Sequence, residues 1–174
     1  FHIGEKTLWG KTSNFELDAR VPLIIADPRT ERTQPSTDCL TELVDLYPTL
    51  AALAGIANDL PKNLEGNNLS SLLTNPVQTL KTAAFTQHQH PFYAPREKWV
   101  AWGYSIRTAS WRYTQWRSIQ DDQLIGEELY DHRSDSTESQ NVAAQFPDIV
   151  QQHSQRLVKH FNLSENIPSS DTDF

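Results

Sequence analysis

The residue pattern of this 174-residue chain predicts an α/β fold: the tail of a larger parallel-sheet domain, followed by a small α+β subdomain with an antiparallel sheet and a C-terminal helix. Three observations predict it. A short unbroken apolar run at 21–26 is bounded by Arg20 and by Asp27-Pro28, as a strand buried on both faces would be. From residue 83 onward apolar and aromatic residues recur with period two, the signature of half-buried strands. Near the end, Pro147 opens a stretch whose apolar residues fall at helical spacing.

Taken in order, the run at 21–26 cannot satisfy its own backbone groups and so requires partner strands, of which this chain offers few. A polar connection over 28–38 leads to Leu40, Leu43, Val44, Tyr47, Leu50 and Leu53, spaced as an amphipathic helix that stops at Gly55. Pro48 lacks the amide proton needed one turn back, so this helix should bend there or restart. A loop at 59–68 and a helical turn at 69–73 follow. Strands are expected at 83–86, 103–109, 112–117 and 127–131, the middle two joined tightly through Ala109-Ser110-Trp111. Ile149, Val150, Leu157, Val158 and Phe161 form a stripe able to cover the sheet, and 162–174 reads as a polar tail.

With 37% hydrophobic and 21% charged residues, the composition is that of an ordinary globular chain. The net charge of −7 argues against a nucleic-acid-binding surface or a polybasic membrane patch, since both need clustered Lys and Arg. A polyanionic ligand would need a local basic pocket. No apolar run approaches the roughly 20 residues of a membrane helix. Cys39 is the single cysteine and forms no intrachain disulfide; it reads as a small packing residue.

The segment Phe1-His2-Ile3-Gly4-Glu5-Lys6-Thr7-Leu8-Trp9-Gly10-Lys11-Thr12-Ser13-Asn14-Phe15-Glu16, with Arg20-Val21-Pro22-Leu23-Ile24 after it, resembles a stretch of the sulfatases, a family of the alkaline-phosphatase superfamily. Glu42 to Leu50 and Leu64 to Leu69 resemble the helix and loop that follow there. Gly103-Tyr104-Ser105-Ile106-Arg107-Thr108, Trp111-Arg112-Tyr113-Thr114-Gln115-Trp116 and Glu128-Leu129-Tyr130-Asp131 are similar to the iduronate-2-sulfatase-like branch. Lys6-Thr7 departs from the His-Gly that many members carry after the Gly-Glu, which leaves the substrate open.

The resemblance implies an alkaline-phosphatase-like fold, with 1–75 as the end of the catalytic α/β domain, 76–161 as a C-terminal antiparallel-sheet subdomain with its covering helix, and 162–174 as the tail. It implies a sulfuric-ester hydrolase acting on a sulfated sugar or glycosaminoglycan, in a periplasmic, secreted or lysosomal setting. Calcium and formylglycine would serve the full-length enzyme, and the N-terminal remainder of the same sulfatase would supply them; neither the metal ligands nor the nucleophile's precursor is recognised in this chain, so alone it should be inactive. Lys11 matches the family lysine that contacts the sulfate, where an ammonium stabilises charge developing in the transition state. Phe1 matches an aromatic bordering the substrate pocket. His88 and His90, spaced to share one side of a strand end, fall before a substrate-facing loop; a polar loop or a metal pair are the other readings.

Arg107, between apolar neighbours, should pair with a carboxylate or carbonyls inside the fold. Trp9, Trp111 and Trp116 read as core or interface residues more than as carbohydrate platforms. Two other functions stay open: a phosphonate or phosphate monoester hydrolase of the same superfamily, and a non-catalytic binding or dimerisation module, against which an exposed lone strand would argue.

Overall fold

The four strands expected in the second half form one sheet in the order β3-β4-β5-β6, with β3 Ala84–His90, β4 Ala101–Arg107, β5 Trp111–Ser118 and β6 Leu124–Asp131. This computed structural model describes residues 1–30 and 36–164, so part of the polar connection and most of the expected tail lie outside the described residues. The chain divides into two compact units, Phe1–Val21 with Phe85–Phe174, and Pro22–Ala84.

In the first unit β5 pairs antiparallel with both β4 and β6 and is buried on both faces. Its alternating side chains explain why. Trp111, Tyr113 and Gln115 point towards α3, Pro147–Phe161: Ser154 donates to Gln115 Oε1 at 3.4 Å, and the Tyr113 and His153 rings lie 6.4 Å apart. Pro147 sits in the first turn of α3, where its missing amide proton is harmless, and Asn162 ends the helix in a left-handed conformation with Leu163 N–H bonded back to Val158 O. Leu157, fully buried, is the centre of the stripe, worth roughly 1.5–3 kcal/mol of burial. His153, also buried, shares that stripe and was hidden in the sequence by its polarity.

The opposite face of β5 carries Arg112, Thr114 and Trp116, and the first 21 residues lie across it. They include a two-stranded hairpin, β1 His2–Ile3 with β2 Trp9–Gly10, and one turn of helix, α1 Glu16–Ala19. Asn14 Nδ2 donates to Gly103 O of β4 at 3.0 Å, and the Phe15 and Tyr130 rings meet edge to face at 6.1 Å.

The second unit holds a 3-10 turn, Leu43–Asp45, that runs into α2, Leu46–Leu53. Pro48 stands in the first turn of α2, so the expected kink is a change from 3-10 to α upstream of it. The sequence-expected facing of this helix is reversed. Leu43, Val44, Tyr47 and Leu50 are 50–74% exposed, while Asp45 and Thr49 are completely buried. The cause is a demand for acceptors: Asp45 takes the Asn67 amide at 2.7 Å and Lys81 at 2.6 Å, and Thr49 Oγ1 takes the Leu69 amide at 2.9 Å.

The run at 21–26 is a second correction. It forms no strand: no described segment offers it a ladder, and Ile24 is 89% exposed. No helix among the described residues is long and apolar enough to cross a membrane.

Candidate active-site segment

The hairpin turns through glycines at positive φ, Gly4 at 123° and Gly10 at 112°, angles that side-chain-bearing residues rarely adopt. Lys6 and Thr7 also stand at positive φ inside the loop, held by Gly4 N–H to Leu8 O and Thr7 N–H to Gly4 O. Period-two alternation then divides the faces. His2 points inward and is buried, whereas Phe1, Ile3 and Trp9 are more than 70% exposed and Lys11 is exposed. His2 pairs with Gly10 and Ile3 with Trp9, and there the ladder ends. Phe1 and Lys11, both singled out in the sequence, are the exposed residues that flank its His2–Gly10 end. Trp9 is exposed in this chain, while Trp111 is buried as expected.

Beneath the hairpin, His2 Nε2 lies 3.3 Å from Asp18 Oδ2 and 3.4 Å from Ser13 Oγ, the Ser13 hydroxyl donates to Asp18, and the Thr12 amide donates to the same carboxylate at 3.1 Å. Serine, histidine and aspartate here do not make a nucleophilic relay. A relay needs Ser and Asp on opposite ring nitrogens, and both approach Nε2 while Nδ1 has no hydrogen-bond partner among the described residues. The cluster is buried and anchors the hairpin from within.

A second anchor is ionic. Glu16 Oε2 accepts from Arg112 Nη2 at 2.6 Å and from Arg107 Nε at 3.2 Å; Glu138 Oε1 accepts from Arg112 Nε at 2.5 Å and lies 2.8 Å from His132 Nε2; the Glu16 amide donates to Glu138 Oε2 at 2.8 Å. Burial pushes both carboxyls up, yet Arg112 and Arg107 at Glu16, and His132, Arg112 and the Glu16 amide at Glu138, outweigh it and hold both below the ordinary glutamate range. Burial draws the Arg107 guanidinium down, with Glu16 opposing. Lys6 Nζ donates to Glu138 O and stands 4.2 Å from the centre of the Phe15 ring. Glu16, His132 and Glu138 are the group of three potential metal ligands that converges among the described residues, but guanidinium N–H groups already occupy the carboxylate oxygens. Arg107 pairs inside the fold as its setting suggested. Arg112, Glu138 and His132 were missed, because nothing in their spacing reveals partners up to 132 residues away.

Lys11 makes no hydrogen bond or ion pair with a described residue. His88 and His90, at the end of β3, share one side and flank Phe92 at 5.7 and 5.6 Å between ring centres. His90 also lines a cavity of about 280 Å³ with Phe15, Phe92, Ala101, Trp116, Ile125, Gly126 and Glu128. The same loop reaches the hairpin: a side chain built on Gly10 would come within 3.4 Å of the Tyr93 hydroxyl. Cys39 is half-buried, its thiol 3.5 Å from Leu40 O.

Residues 4–162 match the family model described as N-sulphoglucosamine sulphohydrolase, C-terminal. Among curated relatives, arylsulfatase K of Homo sapiens is 34% identical over 151 residues, covering 84% of this chain and 26% of its own length. Iduronate 2-sulfatase of Mus musculus is 27% identical over 202 residues, covering 80% of this chain and 36% of its own. The chain thus spans about a quarter to a third of the length of these relatives. Two solved structures share the fold. One, from studies of glycosaminoglycan metabolism by Bacteroides thetaiotaomicron, superposes at a TM-score of 0.53 with 17% identity over 68% of this chain and 26% of that one. The other, BT4656 in complex with its substrate D-glucosamine-2-N,6-O-disulfate, superposes at 0.51 with 22% identity over 74% of this chain and 25% of that one. By the extent of the family match and the identity to arylsulfatase K, the chain belongs to the sulfatases, within the family defined by the C-terminal region of N-sulphoglucosamine sulphohydrolase.

Proposed function

We propose that this chain is the C-terminal part of a sulfuric-ester hydrolase that removes sulfate from a sulfated sugar of the glycosaminoglycan type, with Lys11 as the cation that meets the sulfate. The observation that carries the reading is the end of the hairpin, where the Lys11 ammonium is exposed and makes no ion pair with a described residue, and where Phe1, next to the same ladder pair, is exposed as well. In a water-poor site such an ammonium stabilises charge building on the sulfate and the leaving oxygen. The disulfated glucosamine held by one structural relative supports a sulfated sugar, and His88 and His90, at the end of β3, lead into the loop that would border it.

Calcium and formylglycine belong to this reading as properties of the full-length enzyme, and the described residues do not fit as their holders. Calcium takes six to eight oxygen ligands, whereas the convergent Glu16-His132-Glu138 group presents carboxylates already committed to Arg107 and Arg112. The partner is therefore the N-terminal remainder of the same polypeptide, with 1–75 completing its catalytic α/β domain and 76–161 forming the C-terminal subdomain.

The test is turnover by the full-length protein of an aryl sulfate and of a sulfated disaccharide, with the 174-residue chain alone as an inactive control. Lys11→Ala should lower kcat/KM by roughly 10²–10³, the cost of removing one donor that stabilises developing charge, with thermal stability unchanged because the side chain is exposed. An unaltered rate removes Lys11 from the site. Hydrolysis of phosphate monoesters or phosphonates in preference to sulfates by the wild-type protein overturns the reaction class.

A further inference from the structure

Trp116 occupies an unusual position in the sheet. Its partners in register are glycines on both sides, Gly103 of β4 and Gly126 of β6. A β-carbon on Gly103 would stand 2.5 Å from Trp116 Cζ3, so the indole lies down over the glycine rather than rising from the sheet. Immediately beyond it the β5-β6 register slips: Trp116 pairs with Gly126 but Arg117 with Leu124, leaving Ile125 as a bulge. Bulges of this kind re-aim side chains, and Ile125 enters the cavity wall. His90 and Phe92 meet the indole edge to face at 5.6 and 5.9 Å.

The polar member of the wall is Glu128, whose Oε1 accepts from Trp116 Nε1 at 3.2 Å and whose Oε2 accepts from the Tyr130 hydroxyl at 3.3 Å. Burial raises its pKa, with these two hydrogen bonds and Lys6 pulling the other way. A flat indole, two further aromatic rings and one hydrogen-bonding carboxyl suit a ligand with a C–H face and hydroxyls at its rim. The carboxyl opposes a second sulfate or a uronate in the same place. A cavity of about 280 Å³ falls just under the range of small-molecule sites, room for one ring and not for a chain. Tyr93, in the loop of Phe92, packs over Gly10 and so adjoins Lys11 in the chain.

We propose that this cavity is a subsite for an uncharged pyranose ring of the substrate, neighbouring the sulfated ring, with Trp116 as its platform and Glu128 as its hydroxyl acceptor. The inference rests on the sulfated-sugar reading given above and deepens it by naming what flanks the scissile sulfate. Trp116, by sequence alone a packing residue, becomes the determinant of that preference.

The experiment compares, in the full-length enzyme, kcat/KM for a sulfated disaccharide bearing a neutral neighbouring sugar with kcat/KM for a small aryl sulfate lacking one. Trp116→Leu should lower the disaccharide-to-aryl ratio about tenfold, the loss of one aromatic anchor; Phe92→Ala, in the loop after β3 and outside the strand ladder, should lower it in the same direction if Trp116→Leu fails to fold. Glu128→Gln should lower it less, since an amide oxygen still accepts. An unchanged ratio in both aromatic variants overturns the subsite even if the enzyme is a sulfatase. Wild-type protein that hydrolyses neither substrate overturns the underlying reading instead.

Discussion

Arg112 and Glu138 form an ion pair sealed inside the protein: Nε meets Oε1 at 2.5 Å, with side-chain exposures of 3% and 1%. Arg112 also reaches Glu16 at 2.6 Å, so one guanidinium joins the segment carrying Lys11 to the loop after β6. Arg112→Ala should destabilise the protein by about 3–5 kcal/mol, because it leaves two partly desolvated carboxylates without their main partner. Urea unfolding of the variant measures this, and a loss below about 1 kcal/mol would show that solvent replaces the guanidinium.

The same network sets an acid limit. Glu16 and Glu138 are held below the ordinary value of 4.5 in the folded protein, so each binds protons more readily when unfolded. The stability they contribute is complete above pH 4.5 and drains away as pH falls through their lower folded values. Glu138→Gln should be less stable than wild type at pH 7, with the gap narrowing below pH 4.5. Thermal unfolding across that range checks the sign; a gap that widens on acidification contradicts it.

These elements also mark what the sequence could and could not disclose. Alternation located all four strands of the sheet, and the Pro147 start with its apolar stripe located α3, since local periods are written locally. Helical spacing likewise located α2, yet not which face it buries: the stripe of Leu43, Val44, Tyr47 and Leu50 is exposed, and the polar Asp45 and Thr49 go inward to serve loop amides. The run at 21–26 misled for a related reason, since an apolar segment becomes a strand only where another strand meets it. Lys11 and Phe1 were singled out only through family likeness, and their role is a proposal, whereas the cavity around Trp116 depends on cross-strand register that no local spacing encodes.

Gly103→Ala and Gly126→Ala form a matched pair. At Gly103 the added methyl would collide with the indole and stand 2.7 Å from Asn14 Nδ2, while at Gly126 its nearest neighbour is Trp116 Cδ1 at 3.7 Å. The first should cost about 1–3 kcal/mol through overpacking and alter near-ultraviolet circular dichroism; the second should fall within about 0.5 kcal/mol of wild type. Equal effects would mean that the indole does not lie on Gly103.

Asp45 is the corresponding test in the second unit. It accepts from the Glu42 and Asn67 amides and from Lys81, with no exposure at all. Asp45→Ala should cost about 3–5 kcal/mol by leaving two amides without their acceptor and Lys81 with Glu42 as its remaining carboxylate. Asp45→Asn, which keeps one acceptor oxygen, should cost less. Equal losses in the two variants, measured by denaturant unfolding, would point to packing and not to hydrogen bonding.

The reach of Arg112 from β5 to Glu16, together with that of Asn14 to Gly103, has a bearing on recombination among these enzymes. A crossover near residue 76 divides the gene between two stretches of unlike pattern, but it separates each of these pairs. A chimaera joined there inherits the lysine-bearing arm from one parent and its seat from the other. Chimaeras between homologues are thus expected to fold better when residues 1–21 travel with 85–164 from one parent, which soluble expression of the two designs checks.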